Sequence, residues 1–500
     1  MDNFHAAPAL PPAVPAQDHV DVLIVGAGLS GIAAAHALKT RSPARTFAIL
    51  EARDAIGGTW DLFRYPGVRS DSDMYTLGYS FRPWPSGQAF TDGPSILRYI
   101  RDAAREHGIE GAVRFGHRAT RASWSSAEAR WTVEAETAGG VVRLTCGFLF
   151  LCTGYYDYEA GHGPEWPGMD RFAGRIVHPQ HWPEDLDHTG RRVVVIGSGA
   201  TAVTLVPELA RRAAHVAMLQ RSPTYIVALP SRDAIADRLH RHLPQRLAHG
   251  LVRWKNVLMT SAVYALARLA PGFTRRGILR GARRELGPDV DVATHFTPRY
   301  DPWDQRLCVA PDGDFFQALR AGTASVITDE IETFTPSGLR LRSGSTLEAD
   351  LIVTATGLKL KLAGGMRLDV DGAPVDLAKA LLYKGMMLSD VPNAACAIGY
   401  TNASWTLKCE LTALYVCRLL NHMAAHGFDW CVPRRPVGPI AEEPAIGLTS
   451  GYIRRAAALL PKQGTRPPWR LHQNYARDLA ALKFGRLADG VMAFGRATRR

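Results

Sequence analysis

Two glycine-punctuated loops carry the clearest chemistry in this sequence: Gly26-Ala27-Gly28-Leu29-Ser30-Gly31 and Gly197-Ser198-Gly199-Ala200-Thr201-Ala202. In each, the first glycine permits a tight turn and the second lets backbone approach a phosphate. A helix behind the loop aims free N–H groups and a partial positive charge at the anion. Gly31, the third glycine of the first loop, permits close packing of helix on strand. Glu51 follows Gly31 by twenty residues. A carboxylate there accepts both ribose hydroxyls of a dinucleotide and disfavours a 2′-phosphate, so the first loop suits FAD. The second loop has the opposite partner, Gln220-Arg221-Ser222. A guanidinium is a bidentate partner for phosphate, so Arg221 predicts NADP there.

Two further strings are too specific for filler. Between the loops lies Phe172-Ala-Gly174-Arg-Ile-Val-His178-Pro-Gln-His-Trp182-Pro183, and after the first unit comes Gly57-Gly58-Thr59-Trp60-Asp61-Leu62-Phe63-Arg64-Tyr65-Pro66-Gly67-Val68-Arg69-Ser70-Asp71. The second string, with its glycines, proline and aromatics, reads as a rigid surface beside a flat cofactor or as a well-packed Ω-loop.

The elements that must position these residues follow from apolar patterning. Val20–Val25, a helix through Ile32–Leu38, and Thr46–Leu50 ending at Glu51 give the order strand, glycine turn, helix, strand, acid. That is a parallel βαβ nucleotide unit. The order recurs from Arg192–Ile196 through Gly197 to Val216–Gln220. Between them, Trp131–Ala135 and Val141–Thr145 predict a hairpin about Gly139-Gly140, and Phe148–Cys152 a buried strand. Residues 226–302 carry helical periodicity, and Asp350–Gly357 reads as a strand returning to the first domain.

The expected fold is α/β, with two Rossmann-like dinucleotide-binding domains (FAD and NADP) and a helical insertion in the NADP domain. The expected boundaries are a flexible tail at 1–18, FAD-binding segments at 19–158 and 362–500, and a linker at 159–190. The NADP-binding segments are 191–225 and 303–361, interrupted by the insertion at 226–302.

Five hundred residues require more than one core. With 46% hydrophobic and 21% charged residues, the composition is that of a globular enzyme. The Ala- and Pro-rich start lacks the features of a signal peptide, and no apolar run approaches the roughly 20 residues of a spanning helix. Seven cysteines with no C-x-x-C fit reduced thiols in a cytoplasm. No metal site is expected.

The net charge of +12 is concentrated in residues 231–300, where thirteen Lys and Arg meet five acids. No nucleic-acid reader motif accompanies that charge, so no nucleic acid is expected. The insertion's apolar stripe (Leu251, Trp254, Leu258, Ala262) is expected to face the nucleotide domains while Arg253, Lys255 and Arg268 face water. The alternative is peripheral attachment to anionic lipid through 231–300.

The string from Phe172 to Pro183, written F-x-G-x-x-x-H-x-x-x-W-P, resembles the fingerprint of the Baeyer–Villiger class B flavoprotein monooxygenases. The resemblance runs from about residue 19 to about 485. It is strongest toward the actinobacterial, ethionamide-activating type, through Gly58–Gly67, Ser70–Tyr75, Asp301–Cys308 and Gly399–Lys408.

It implies an enzyme that uses FAD, NADPH and dioxygen. Ketones become esters or lactones through a C4a-peroxyflavin, and sulfides or thioamides are oxidised as a companion activity. The family's catalytic arginine falls on Arg306, and the acid that orients it and contacts both cofactors falls on Asp71. FAD contacts are implied at Gly26, Gly28, Ser30, Gly31, Glu51, Gly58, Thr59, Trp60, Asp61, Leu62 and Asp71. NADP contacts are implied at Arg69, Ser70, Asp71, Gly197, Ser198, Gly199, Ala200, Thr201, Ala202, Val203, Thr204, Arg221, Ser222 and Arg306.

In the family, Phe172, Gly174, His178 and Trp182 belong to a linker that coordinates domain movement and transfers no proton. Trp182 matches Baeyer–Villiger members, where N- and S-oxidising relatives carry Tyr or Phe. Gln305 stands where many members have Lys, leaving the 2′-phosphate to Arg221, and Tyr400–Thr406 also resembles the N- and S-oxygenating relatives. The rival readings are an N/S-oxygenating enzyme without ketone oxidation, a flavin disulfide reductase, and a non-enzymatic redox-sensing flavoprotein. The reductase would need a cysteine pair close after the first unit, and none stands there.

Overall fold

The apolar run Asp18–Val25 becomes an inner strand of a nine-stranded sheet because its residues from Val22 onward are buried. The computed structural model describes residues 18–288 and 290–497. The expected tail therefore lies outside the described residues except for Asp18, which already belongs to the strand. Asp18–Val25 pairs in parallel with Phe47–Leu50 on one side and Gly140–Leu151 on the other. The hairpin about Gly139-Gly140 forms as Arg130–Thr137 against Gly140–Leu151, with Thr137 opposite Gly140. Its second arm and the strand anticipated at Phe148–Cys152 are one continuous twelve-residue strand. From the C-terminal part, Arg367–Val370 and Ala394–Cys396 add to this sheet.

The second sheet has five strands, all parallel, in the order Ala324–Thr328, His215–Gln220, Arg192–Ile196, Leu351–Thr354 and Arg175–Val177. Such sheets are buried on both faces, which the Val- and Ile-rich runs supply. The chain is thus α/β with two Rossmann-like units. Helix Leu29–Arg41 lies against helix Trp405–His426, so the C-terminal part closes over the first unit.

Two segments depart from the expected layout. Arg175–Val177, inside the anticipated linker, is the edge strand of the second sheet. Ile226–Leu229, inside the anticipated helical insertion, pairs in parallel with Cys308–Pro311. Helices begin only at Ala234: Ala234–His242, Gln245–Leu269, Pro271–Leu286 and Val292–Phe296.

The orientation of the long helix reverses the expectation. Leu251, Trp254, Leu258 and Ala262 face outward, whereas Arg253 is buried. The cause is donor satisfaction. The Arg253 guanidinium donates to the carbonyls of Tyr75 (3.0 Å) and Gly78 (2.7 Å) and to Glu410 Oε2 (2.7 Å). Lys255 likewise pairs with Asp233, at the start of helix Ala234–His242. Arg268 does remain exposed, paired with Asp304.

Candidate active site

The first glycine loop has the geometry of an anion cradle. Gly26 has φ of +106°, and a Cβ there would sit 2.5 Å from the Cys152 carbonyl oxygen. A Cβ on Gly31 would lie 1.9 Å from the Gly26 carbonyl oxygen, so helix Leu29–Arg41 packs on the loop only with glycine there. Gly28 caps that helix without a side-chain acceptor, leaving first-turn amides directed at the cleft. Glu51 is buried beneath the loop, its Oε2 accepting from the Ala27 amide (2.7 Å) and Oε1 from the Arg53 amide (3.0 Å). Burial raises its carboxyl above the ordinary value, while these amides and Arg53 oppose the rise.

The second loop repeats the turn: Gly197 has φ of +131°, with a Cβ 2.3 Å from the Ala355 carbonyl oxygen. Gly199 caps helix Ala200–Leu209, again without a side-chain acceptor, and a Cβ on it would meet nothing within 4 Å. The Ser198 hydroxyl ties the loop to the Ser222 carbonyl (3.0 Å). Arg221 is exposed where strand His215–Gln220 ends and has no ion pair among the described residues.

A cleft of about 530 Å³ connects the two units. Gly26, Gly28, Ser30, Glu51, Gly58, Thr59, Trp60, Arg69, Ser70 and Asp71 line one side, and Ala200, Thr201 and Thr204 the other. Arg306 reaches it from the second unit, with its Nη1 3.7 Å from Asp71 Oδ2. Its Nε is buried and has no hydrogen-bond partner among the described residues. Burial opposes the guanidinium's charge, but Tyr155, Asp71, Tyr452 and Tyr156 outweigh it and hold its pKa above the usual arginine value.

A second cavity, of about 380 Å³, shares Thr153, Gly154, Tyr155, Arg306, Ala363, Tyr400 and Trp405 with the cleft. Its walls are largely apolar, including Leu362, Leu377, Leu382, Leu388, Ile446, Leu448, Ile453 and Leu460. Two ion pairs interrupt them: Lys384–Asp489 (3.0 Å) and Lys408–Asp478 (2.8 Å). Tyr155 stacks on Trp405 at 4.9 Å between centroids. Arg306 therefore sets a guanidinium where the cleft meets a largely apolar chamber.

Of the expected contacts, Gly31, Asp61, Leu62, Gly197, Ser198, Gly199, Ala202, Val203, Arg221 and Ser222 are not among the residues that line the cleft, and the polar groups of Ser30, Arg69 and Ser70, which do line it, already have protein partners. Asp61 is buried with its carboxylate taken by Arg53 (2.6 Å), Arg101 (2.8 Å) and Arg64 (3.3 Å), and Leu62 is in the core. Both brace the loop that carries Gly58 to Trp60. Ala202 and Val203 are buried on the inner face of their helix. Ser30 lines the cleft, but its hydroxyl accepts from Trp405 Nε1 (3.0 Å) and meets Cys409 Sγ (3.2 Å). Arg69 is ion-paired with Asp314, and the Ser70 hydroxyl closes a local turn by donating to the Ser72 carbonyl (2.8 Å).

The fingerprint residues line neither cavity. His178 packs against Gly161 and its Nε2 meets the Gly357 carbonyl (3.2 Å), while Gly174 has no room for a Cβ beside Phe172 and the Asp350 carbonyl. Trp182 packs on the core of the second unit.

Sequence reasoning missed Tyr155, Tyr156, Tyr452, Lys408 and Asp478. For Tyr155 and Tyr156 a signal existed, since they follow a parallel strand's C-terminal end, where open α/β sheets place ligands. The seven cysteines are free, and burial pushes Cys146, Cys308, Cys396, Cys409 and Cys431 up to about 12. Thiols held protonated by burial lack the low-pKa thiolate on which thiol–disulfide exchange depends.

Comparison with known proteins bears on the family and the fold. Residues 19–257 match the family model described as flavin-binding monooxygenase-like. The chain is 54% identical over 480 residues to the FAD-containing monooxygenase EthA of Mycobacterium tuberculosis, covering 96% of this chain and 98% of EthA. Among solved structures, it resembles an oxidised steroid monooxygenase bound to NADP, with TM-score 0.75 and 22% identity, over 96% of this chain and 100% of that one. It also resembles an ε-caprolactone-bound cyclohexanone monooxygenase, with TM-score 0.71 and 20% identity over the same shares of the two chains.

Proposed function

This chain belongs to the flavin-binding monooxygenase-like family, and on that premise we propose that it is an FAD-dependent Baeyer–Villiger monooxygenase. One ketone, one dioxygen, one NADPH and one proton give one ester or lactone, NADP⁺ and water. Oxidation of thioethers or thioamides is its companion activity. The observation that carries this reading is Arg306, a charged guanidinium beside Asp71 where the cleft joins an apolar chamber.

The residues fit the cofactors. The Gly26–Gly31 cradle and the buried Glu51 suit the pyrophosphate and ribose of FAD, and the Gly197–Ala202 cradle with Arg221 suits NADPH. Bound FAD supplies the redox centre at which dioxygen is activated. The chain's own part is electrostatic and steric. Arg306 places a permanent cation where negative charge develops on oxygen, and such preorganised charge is worth most where water is excluded. Asp71 holds the guanidinium in position from the FAD side. Tyr155 and Trp405 form an aromatic wall between cleft and chamber, and the leucine-lined chamber favours an apolar substrate. A soft sulfur fits the same chamber and makes less demand on Arg306, because no tetrahedral oxyanion forms.

The test is NADPH consumption by purified, FAD-loaded protein across linear, cyclic and aryl ketones and sulfides, with products measured. Consumption that rises with ketone and yields ester supports the reading. Sulfoxide without ester would make the enzyme an S-oxygenase, and consumption indifferent to every substrate would support a redox-sensing role.

A further inference from the structure

The helix Gln245–Leu269 turns an apolar stripe outward. Leu247, Leu251, Trp254, Leu258, Leu266 and Leu269 recur at intervals of three, four and eight residues, which keeps them on one helical face. Each is between 42% and 85% exposed. Met259 and Val263 widen the stripe, and it runs about 33 Å at 1.5 Å per residue. Isolated exposed leucines need no explanation, but a continuous exposed stripe of this length does.

The next helix, Pro271–Leu286, begins 114° from the first. On it Phe273, Arg276, Arg280 and Arg284 are exposed at spacings of three to four residues. The apolar stripe therefore leads into a row of guanidiniums.

From this juxtaposition we infer that the bent pair Gln245–Leu286 docks the enzyme on an anionic lipid surface, its leucine stripe in the acyl boundary and its guanidiniums on the phosphates. The charge argues for this occupant over others. Residues 231–300 carry thirteen basic and five acidic side chains, which suits lipid phosphate and repels a second copy presenting the same face. Nucleic acid would match the charge but not the leucines. The helix lies on the surface and does not cross it. Among the described residues no single helix is long and apolar enough to span; the bent pair has that length and apolar character only when its two helices are taken together, and Arg253 and Asn256 fasten the opposite face of the first to the protein body. Amphipathic helices of this kind bury the apolar face about 5–10 Å deep.

The inner face of the same helix bears on the active site. Val257 packs with Tyr400, and Tyr264 packs edge-on against Trp303, three residues before Arg306. Docking would bring the apolar chamber within one helix thickness of the lipid.

The experiment is co-sedimentation of the FAD-loaded enzyme with vesicles of phosphatidylcholine alone and of equimolar phosphatidylcholine and phosphatidylglycerol, at low and high salt. The wild type should pellet with the anionic vesicles and be largely released by salt. Leu251→Asp with Leu258→Asp should stay in the supernatant under every condition, while keeping wild-type FAD content and Tm because both positions are exposed. Arg276→Gln, Arg280→Gln and Arg284→Gln together should weaken anionic-vesicle binding on the order of a hundredfold. The inference is overturned if the wild type pellets with neither vesicle, or if the aspartate variant pellets like the wild type. It is also overturned by a lipid-free dimer that the aspartates dissociate in sedimentation velocity, with no vesicle binding, since a second copy would then cover the stripe.

Discussion

Arg306→Ala isolates the electrostatic part of the site. The guanidinium lies 3.7 Å from Asp71 and is one of the residues that the cleft and the apolar chamber share as wall. Alanine removes the cation and leaves the Asp71 carboxylate facing the cleft, so the local field changes sign. Loss of one preorganised contact of this kind costs roughly 10²–10³ in turnover, about 2.7–4 kcal/mol of transition-state stabilisation. FAD should remain bound, because the Gly26–Gly31 cradle and Glu51 make no contact with Arg306 among the described residues. Arg306→Lys restores charge without the planar fork and should recover part of the loss. The assay measures ester formed per NADPH consumed, with bound FAD quantified by absorbance. Ester formation within a few-fold of wild type in the alanine variant would refute the role assigned to Arg306.

Three further outcomes follow from the same geometry. Arg221→Ala should raise the KM for NADPH tenfold or more and leave that for NADH nearly unchanged, given about 1.5–3 kcal/mol for a charge-assisted phosphate contact; equal effects would place the 2′-phosphate elsewhere. Gly31→Ala puts a Cβ 1.9 Å from the Gly26 carbonyl oxygen and should cost on the order of 1–3 kcal/mol, lowering Tm and FAD occupancy, so full occupancy at unchanged Tm would contradict the packing argument. His249 is buried with neither ring nitrogen hydrogen-bonded among the described residues, and burial, then Arg253 and His240, lower its pKa from 6.5 to about 4. Between those values the unfolded chain binds the extra proton, so stability falls on acidification through that window, by on the order of 3 kcal/mol at most. His249→Gln should flatten the Tm–pH profile there, and an unchanged slope would assign the acid sensitivity to other groups.

The two nucleotide units were legible because each is local. Arg192–Ile196 and Gly197 are neighbours in sequence as they are in space, and apolar runs between glycine turns leave few alternatives. The face of helix Gln245–Leu269 was not legible. Periodicity reveals a stripe but not the side from which it is covered. That side was decided by the fit of Arg253 to the Tyr75 and Gly78 carbonyls and Glu410, all distant in the chain. The pairing of Asp61 was hidden for a similar reason, since one of its three arginine partners, Arg101, lies forty residues away. The chamber's Tyr452, Lys408 and Asp478 come from separate C-terminal segments whose spacing carries no motif. Arg306 and Asp71 came from family resemblance alone, because an isolated arginine and aspartate in sequence are ordinary surface residues.

In the proposed reaction one atom of dioxygen enters the carbon skeleton beside a carbonyl. The most direct measurement is turnover of a ketone by the FAD-loaded enzyme with NADPH under isotopically labelled dioxygen, with mass spectrometry of the product. The product should be an ester or lactone carrying one labelled oxygen in its bridging position, formed in step with NADPH oxidised. Unlabelled product, or NADPH oxidised with every ketone returned unchanged, would contradict the proposed reaction.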